Sequence, residues 1–267
     1  MNPTVLLVEQ QEGVLVLTLN RPPVNAFNHQ LIHALQQAFR QAARDTKVRA
    51  VLLQANGSVF SAGQDLRDFE ALQGESLRPH LQATYNPLIL QIRRLEKPVV
   101  AALHGAVAGA ALGVALACDL RLAAEGTRFV VGFLGIGLAP DSAVSLLLPA
   151  LIGLGRATEF TFTNEPFTAE QALTWGLVNK VVPGDQLRPQ ALAWAQRLAQ
   201  GPVRTMGLAK RAFNRAILPH LEAVLDYEAH IQDIAFRTPE HREGLAAFYE
   251  KRPPRFGSPQ RGAEEGG

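Results

Sequence analysis

Short apolar runs and amphipathic stretches alternate along the first hundred residues, which predicts strands and helices in repeated rounds. Residues 4–8 and 14–19, separated by Gly13, predict a β-hairpin. Residues 28–44 carry apolar side chains at the three- and four-residue spacing of an amphipathic helix. Residues 50–54 then predict another strand. This order of strand, strand, helix and strand suggests a structural unit that recurs.

A second round of the same pattern follows. Residues 75–95 predict a helix that Pro79 and Pro87 must start or kink, because proline removes a backbone donor. The last two strands of this round are predicted on either side of a turn at Glu125-Gly126. The predicted elements are a strand at 99–103, a short helix of small residues at 109–117, and strands at 120–123 and 129–131.

From Ala143 onward the pattern is almost entirely helical. Strand-strand-helix rounds that each bury only one face are expected to stack into a spiral. We therefore predict an α/β fold, with a ββα spiral core at 1–200, a C-terminal helical module at 201–256 and a disordered tail at 257–267. The predicted helices lie near 143–152, 156–162, 169–174, 187–199, 203–217, 220–236 and 239–249.

Composition restricts the classes of function. The chain has 267 residues, 47% of them hydrophobic and 19% charged, with a net charge of +2. This balance suits a globular core, and no basic patch indicates nucleic-acid binding. The single cysteine, Cys118, excludes an internal disulfide. The apolar run at 99–116 contains His104 and several glycines, so a buried strand and helix explain it better than a membrane span. Without a signal-peptide pattern, we expect a cytoplasmic protein.

Several motifs carry a family resemblance. FSAGQDL at 60–66, KPVVAALHG at 97–105 and ACDLRLAAE at 117–125 recur at family spacing over more than 100 residues. In these motifs the chain resembles the crotonase (enoyl-CoA hydratase/isomerase) superfamily. The resemblance implies a crotonase-like spiral and an acyl-coenzyme A thioester as substrate, with no permanently bound cofactor and no metal.

The resemblance also implies an oxyanion hole, which stabilises the enolate formed from an acyl thioester. Two fixed backbone N–H groups suit this task, since they are in place before the charge develops. Gly109 opens a predicted helix, whose first N–H groups lack intrahelical acceptors. The resemblance assigns the two donors to the N–H groups of Gln64 and Ala110. The structural alternative is that these small residues serve only close packing.

Two acidic positions of the family's hydratases are empty in this chain. The glutamates that hold water in those enzymes align with Gly113 and Phe133, neither of which can transfer a proton. Asp141 stands where the hydratases carry glycine. Its segment, IGLAPDS, resembles the segment of ring 1,2-epoxyphenylacetyl-CoA isomerases in which the aspartate is the catalytic base. The local alternative is that Asp141 caps the helix that follows it.

The environment predicted for Asp141 contains opposing influences. Apolar residues at 133, 134, 136 and 138 would raise the pKa of its carboxyl group, whereas a helix N-terminus would lower it. Two other carboxylates compete for the catalytic role. We expect Asp65 to be structural and Asp119 to pair with a cation or with backbone.

The coenzyme A contacts follow from the resemblance as well. LNRPPVNAFN at 19–28 is similar to the family's adenine-side loop, and EKRPPRF at 250–256 supplies basic side chains for phosphates. A terminal basic stretch is also commonly just solvated. The expected contacts are Val24, Ala26, Ala62, Gln64, Asp65, Leu66 and Lys251.

These features predict an isomerase that moves a proton at the α or γ carbon of an enoyl- or ring-epoxide acyl-CoA. A 2-enoyl-CoA hydratase and a non-catalytic acyl-CoA binder remain as alternatives. The resemblance further implies a homotrimer or a dimer of trimers. Apolar residues in the last two predicted helices, at 221, 224, 225, 231, 234, 245, 246 and 248, suit helices folded over a surface.

Overall fold

The strands form two sheets in the computed structural model, which describes residues 4–68 and 76–257. The larger sheet has the order β1-β2-β3-β4-β6-β9, and the smaller has the order β5-β7-β8. The β1–β2 pair is the predicted hairpin and is antiparallel, while the other pairs of the large sheet are parallel. The strands are β1 Leu6–Gln11, β2 Val14–Leu19, β3 Ala50–Ala55, β4 Val99–Leu103, β5 Ala106–Ala108, β6 Leu120–Ala124, β7 Arg128–Val130, β8 Phe167–Thr168 and β9 Lys180–Val182.

Successive rounds of the chain contribute to both sheets, as expected of a spiral. In one round, β4 joins the large sheet, β5 joins the small sheet and a helix follows. The next round repeats this with β6 and β7. The strands on either side of the Glu125-Gly126 turn therefore belong to different sheets rather than to a hairpin. The short strands β5 and β8 and the strand β9 were not predicted from the sequence.

The helices cover the sheets and bury their apolar faces. Helix α1 begins after Asn28, whose side chain accepts a hydrogen bond from the Leu31 N–H at 3.0 Å. Its buried face includes Leu31, Leu35 and Phe39. The helices are α1 His29–Arg44, α2 Leu77–Ala83, α3 Tyr85–Arg94, α4 Ala110–Ala117, α5 Val144–Ile152, α6 Leu154–Thr163, α7 Ala169–Thr174, α8 Leu187–Ala199, α9 Val203–Ile217, α10 Leu221–Phe236 and α11 Pro239–Tyr249.

The predicted helix at 75–95 is two helices, α2 and α3. The break lies at Thr84, which has φ −111° and ψ −83°. Pro79 and Pro87 each occupy the third position of their helix, where a missing N–H costs no intrahelical hydrogen bond. The two prolines thus mark two helix starts. Helix α2 packs against α10, which brings the C-terminal helices onto the core.

Asp119 ties three elements together at the start of β6. Its carboxylate accepts hydrogen bonds from the Val99 N–H at 2.9 Å, from Lys210 Nζ at 2.8 Å and from Arg93 at 3.2 Å. Lys210 is buried, so its charge depends on this partner. The prediction that Asp119 pairs with a cation and with backbone is confirmed.

The last helices bury a different face from the one that their apolar residues suggested. Helix α10 buries Leu221 and Leu225, but its next inward positions are Glu228 and Gln232, while Ile234 is 56% exposed.

In residues 4–68 and 76–257, no helix combines the length and the apolar character needed to cross a membrane. The tail predicted to be disordered, 257–267, lies outside the described residues except for Gly257. The predicted division of the chain at residue 200 stays a prediction.

Candidate active site

A cavity of about 570 Å³ lies between the first turn of α4, the turn at 62–66 and helices α2, α3 and α10. Its walls are mostly apolar. Of the residues predicted for the site, all but Lys251 line it, including Gln64, Ala110 and Asp141. Several polar lining residues were not predicted from the sequence, among them His80, Tyr85, Asn164 and Gln232.

The backbone around Gln64 directs its N–H away from the neighbouring strand. The Phe27 N–H donates to the Gly63 carbonyl at 2.7 Å, and the Asp65 N–H donates to the Phe27 carbonyl at 2.8 Å. Peptide groups alternate in direction along an extended segment, so the N–H of Gln64 points to the opposite side. Gln64 lines the cavity on that side. The first predicted oxyanion donor is therefore oriented by a backbone bridge.

The second donor lies close by because the turn approaches the start of α4. Gly63 has φ +88°, and a Cβ there would stand 2.7 Å from the Ala108 carbonyl and 3.4 Å from the Ala110 nitrogen. Only glycine permits this approach. Ala110 is the first residue of α4, and first-turn N–H groups have no intrahelical acceptor. The turn that carries Gln64 thus packs against the start of α4, where Ala110 lies.

The side chain of Gln64 is held by the cavity wall. The Tyr85 hydroxyl donates to Gln64 Oε1 at 2.6 Å, and Gln64 Nε2 donates to the Asp65 carbonyl at 3.0 Å. Burial, followed by the charge of Asp141, raises the pKa of Tyr85 well above its usual value. Tyr85 therefore stays a neutral donor, and the network holds the side chain of Gln64, the residue predicted to carry the first oxyanion donor.

Asp141 is buried on the wall of the cavity, with 6% of its surface exposed. Its Oδ1 accepts from the Ser142 hydroxyl at 2.7 Å, and its Oδ2 accepts from Gln232 Nε2 at 2.8 Å. Burial raises the pKa of the Asp141 carboxyl to about 6, and the two hydrogen bonds oppose that rise. Burial thus raises the pKa as expected from the sequence, while the two hydrogen bonds that oppose it were not predicted.

Asp141 does not cap the following helix. Helix α5 begins at Val144, and Glu228 of α10 fills the capping role from outside the segment. Its carboxylate accepts from the Ala143 N–H at 2.8 Å, from the Ser145 N–H at 3.1 Å and from the Ser145 hydroxyl. Ala143 has a left-handed backbone, with φ 63°. The capping alternative for Asp141 is thereby excluded.

The chain has no room for a side chain at the first empty hydratase position. A Cβ on Gly113 would lie 2.4 Å from the Ser142 carbonyl oxygen and 2.6 Å from the Ser142 Cβ. The loop that carries Asp141 therefore occupies the space beside α4. At the second position Phe133 is buried and lines the cavity. Asp141 and the empty glutamate position are thus parts of one arrangement.

Asp65 is held as an ion in a structural role. Arg67 and Arg21 contact its carboxylate at 2.8 Å and 2.6 Å, and these hydrogen bonds, Arg67 first, lower its pKa to about 2. A carboxylate with so low a pKa is a poor base. The structural role predicted for Asp65 agrees with this geometry.

The phosphate contacts expected of the C-terminal segment stay a prediction. Lys251 is exposed and does not line the cavity of the described chain, so its contact with coenzyme A stays a prediction. Arg252 forms ion pairs with Glu243 and Glu250. Across the described residues, no group of three or more His, Cys, Asp or Glu side chains could hold a metal ion.

One missed lining residue, Gln232, and the buried Glu228 beside it left a signal in the sequence. Glu228 and Gln232 follow Leu221 and Leu225 at helical spacing, and a polar residue on the inward stripe of a helix needs a buried partner. Asn164 gave no such signal, because it lies at the C-terminal end of α6. Its Oδ1 accepts from the Gly132 N–H at 3.0 Å.

Known proteins resemble this chain over nearly its whole length. The family model for enoyl-CoA hydratase/isomerase matches residues 9–260. A 1,2-epoxyphenylacetyl-CoA isomerase of Escherichia coli (strain K12) is 37% identical, over 94% of this chain and 97% of that protein. A probable enoyl-CoA hydratase of Rhodobacter capsulatus is 38% identical, over 93% and 96%. The crystal structure of an enoyl-CoA hydratase from Mycobacterium avium subsp. paratuberculosis K-10 superposes with a TM-score of 0.86 at 33% identity, covering 96% of this chain and 99% of that one. The expected crotonase-like fold is confirmed.

The contact between Gly113 and Ser142 predicts a steric sensitivity. Gly113→Ala is expected to cost about 1–3 kcal/mol of stability, because the methyl group meets backbone that cannot move without displacing Asp141. Urea unfolding at a fixed protein concentration measures it. Gly155→Ala in α6 is the matched control, since its Cβ would meet nothing within 4 Å and alanine favours the helix. Equal stability of the two variants would contradict the contact.

The buried carboxyl of Asp141 predicts a pH-dependent effect on stability. Its pKa rises from 3.8 in the unfolded chain to about 6 in the folded one. The protonated carboxyl of Asp141 therefore stabilises the folded chain fully below the unfolded pKa of 3.8, and this stabilisation is lost as the pH rises through about 6. Asp141→Asn does not titrate. Its free energy of unfolding relative to the wild type should therefore rise by about 1.4 kcal/mol between pH 5 and pH 8.

Asp65→Asn provides the control for this experiment. Asp65 is ionised in both the folded and the unfolded chain above pH 5, because its folded pKa is about 2. Its substitution should therefore destabilise the protein by nearly the same amount at pH 5 and at pH 8. If the difference in free energy of unfolding between Asp141→Asn and the wild type is the same at pH 5 and at pH 8, Asp141 does not titrate in this range.

Proposed function

Because the chain belongs to the enoyl-CoA hydratase/isomerase family, we propose that it is an acyl-CoA isomerase that moves a proton at the α or γ carbon of an enoyl or ring-epoxide thioester. The observation that carries this proposal concerns Asp141, one of two buried carboxylates that line the cavity. Its pKa is raised to about 6, whereas that of Asp65 is lowered to about 2, and Gln64 and Ala110 line the same cavity. One acid–base residue and an oxyanion hole suffice for a proton shift.

The proposed reaction uses the cavity in two steps. The thioester oxygen accepts from the N–H groups of Gln64 and Ala110, which stabilise negative charge as it develops. Asp141 removes a proton from carbon, the electron pair moves into the enolate, and Asp141 returns the proton at a different carbon. A carboxyl with a pKa near 6 is ionised at neutral pH yet basic enough to exchange protons with an acidified carbon.

Hydration is the second candidate function, since a relative that is 38% identical is named a probable enoyl-CoA hydratase. In the hydratases of this superfamily two glutamates hold the water, and Gly113 and Phe133 stand in those positions. The Ser142 backbone also blocks a side chain at position 113. We therefore favour isomerisation and expect at most weak hydration.

We propose that coenzyme A enters as part of the substrate. Val24 and Ala26 line the cavity beside the turn at 62–66, and Val24 is 39% exposed, which suits a residue at the entrance. Lys251 is proposed to meet a phosphate of the coenzyme. Phe248 and Tyr249 of α11 line the cavity as well. The substrate would thus enter between the turn and the last helix.

We further propose that the chain forms a homotrimer, or two stacked trimers. Large apolar side chains are exposed on the C-terminal helices in an arrangement that a monomer leaves in water. A closed ring of heterologous contacts would cover such faces. The exposed residues include Phe213 at 68%, Ile217 at 62%, Tyr227 at 64%, Ile234 at 56% and Phe248 at 57%.

Removal of the proposed base tests the reaction. Asp141→Asn is expected to lower isomerase turnover by about 10²–10⁴-fold, because the amide cannot take the proton. Turnover is followed by the ultraviolet absorbance of the conjugated thioester formed from a 3-enoyl-CoA, and by product analysis with ring-epoxide thioesters. The matched control is Asp185→Asn, which changes an exposed aspartate in the turn before α8.

Two results would contradict the proposal. One is near wild-type turnover by Asp141→Asn on the best substrate, with thioester binding by calorimetry intact. The other is hydration of crotonyl-CoA by the wild type at the rate of a dedicated hydratase, since no second carboxylate occupies the position aligned with Gly113.

Light scattering tests the assembly. At micromolar concentration the mass should be three or six times the 29.0 kDa of one chain. Phe213→Glu should shift it towards the monomer, because burying a charge in an apolar interface is unfavourable. A wild-type mass of one chain would refute the assembly.

A further inference from the structure

Helix α10 places two polar side chains where its core-facing stripe should be apolar. Glu228 and Gln232 are each 1% exposed and lie one helical turn apart, so they face the same neighbour. That neighbour is the segment 139–145, which carries the proposed base. A buried polar pair is retained only where its hydrogen bonds are satisfied. Both side chains meet this condition through the segment.

The Gln232 amide joins the backbone of the segment to the carboxylate. The Ala139 N–H donates to Gln232 Oε1 at 2.9 Å, and Gln232 Nε2 donates to Asp141 Oδ2 at 2.8 Å. A backbone N–H can only donate, so the amide oxygen must face Ala139 and the amide nitrogen must face Asp141. The amide therefore has one orientation, and it presents a donor to the proposed base.

The other carboxylate oxygen has its own donor, the Ser142 hydroxyl. Rotation of the carboxylate would break both hydrogen bonds, so its plane is fixed relative to the cavity. Glu228 accepts hydrogen bonds from the backbone N–H groups of Ala143 and Ser145. Glu228 thus binds only the part of the segment that follows Asp141, whereas Gln232 binds both the backbone of Ala139 and the carboxylate of Asp141.

We propose that Gln232 is a positioning residue for proton transfer: it fixes the orientation of the Asp141 carboxylate and favours its ionised form. This inference rests on the proposed function. Donation from Gln232 lowers the pKa of Asp141, against the effect of burial. Without it the carboxyl would hold its proton at higher pH and would rotate more freely.

Other groups around the cavity also bear on the titration of Asp141. Helix α10 contributes Glu228, whose own pKa burial raises to about 7, and α3 contributes Tyr85. Helix α2 contributes His80, whose pKa burial lowers to about 4. The turn contributes Asp65, which is paired with arginines. These groups are unchanged in the variants below, so a shift between variants reports on residue 232.

Two substitutions separate positioning from mere packing. Gln232→Met keeps the length and bulk of the side chain but removes both hydrogen bonds. It should move the acid limb of kcat/KM up by about one pH unit and lower kcat more than it changes KM. Gln232→Glu keeps an acceptor for the Ala139 N–H but sets a carboxylate against Asp141. It should shift the acid limb further than methionine does.

Gln36→Met is the matched control. Gln36 is also buried, and its amide donates to the Ala83 and Thr84 carbonyls without touching Asp141. This variant should lose stability, yet its acid limb should coincide with that of the wild type. If Gln232 were only structural, Gln232→Glu would restore wild-type activity. Gln232→Met would then lose stability without a shift of the acid limb, as expected for Gln36→Met.

A measurement without turnover separates this inference from the proposed function. Infrared titration follows the protonated carboxyl of Asp141, assigned by its absence in Asp141→Asn. The midpoint should rise by about one pH unit in Gln232→Met. An unchanged midpoint overturns the inference alone. Full turnover by Asp141→Asn overturns the proposed function, and the inference with it.

Discussion

The packing of the segment 139–145 between α4 and α10 is the constraint on which the rest of the site depends. On one side, Ser142 fills the space that a side chain at Gly113 would need. On the other, Glu228 and Gln232 supply the hydrogen bonds that the segment's backbone and Asp141 require. A side chain at position 113 would therefore disturb the segment that carries Asp141, the proposed base. The empty hydratase position and the added aspartate are two results of one packing arrangement.

The electrostatic balance at Asp141 follows from the same packing. Enclosure among apolar side chains favours the protonated carboxyl, whereas donors from Ser142 and Gln232 favour the ion. The result is a pKa near neutrality rather than the low value of Asp65, which two arginines hold as a permanent ion. Two carboxylates within one cavity are thus differentiated by their surroundings. The environment of Asp141, rather than that of Asp65, suits a group that both removes and returns a proton.

The spiral and its main strands could be predicted from the sequence because apolar periodicity and the turn residues agree with the final packing. The break of the helix at 75–95 was signalled by Pro79 and Pro87. The strands β5, β8 and β9 were missed because two or three residues carry little periodicity, whereas the equally short β7 lies beside a recognisable turn. The strands around Glu125-Gly126 were predicted, but local sequence does not reveal that they join different sheets.

The lining of the cavity was predictable where a motif or an unexpected carboxylate marks a position, as at Gln64, Ala110 and Asp141, while the roles of these residues stay predictions. It was less predictable where distant elements meet. Tyr85 and Gln232 reach the cavity from α3 and α10, more than 50 residues from Asp141 in either direction. Their roles depend on tertiary contacts that residue spacing does not encode, although a polar residue on the buried stripe of α10 was a usable signal.

The central step of the proposed reaction is the removal of a proton by Asp141. The proton leaves the carbon next to a thioester that two backbone N–H groups hold. Exchange of the α protons of phenylacetyl-CoA in deuterated water tests this directly, because the thioester has no double bond or epoxide to rearrange and exchange needs only the enolate-forming step. Nuclear magnetic resonance should show deuterium entering the α carbon with the wild type and entering at least about 100-fold more slowly with Asp141→Asn. Equal exchange by the two proteins, or no exchange by a wild type that binds the thioester, would contradict the account.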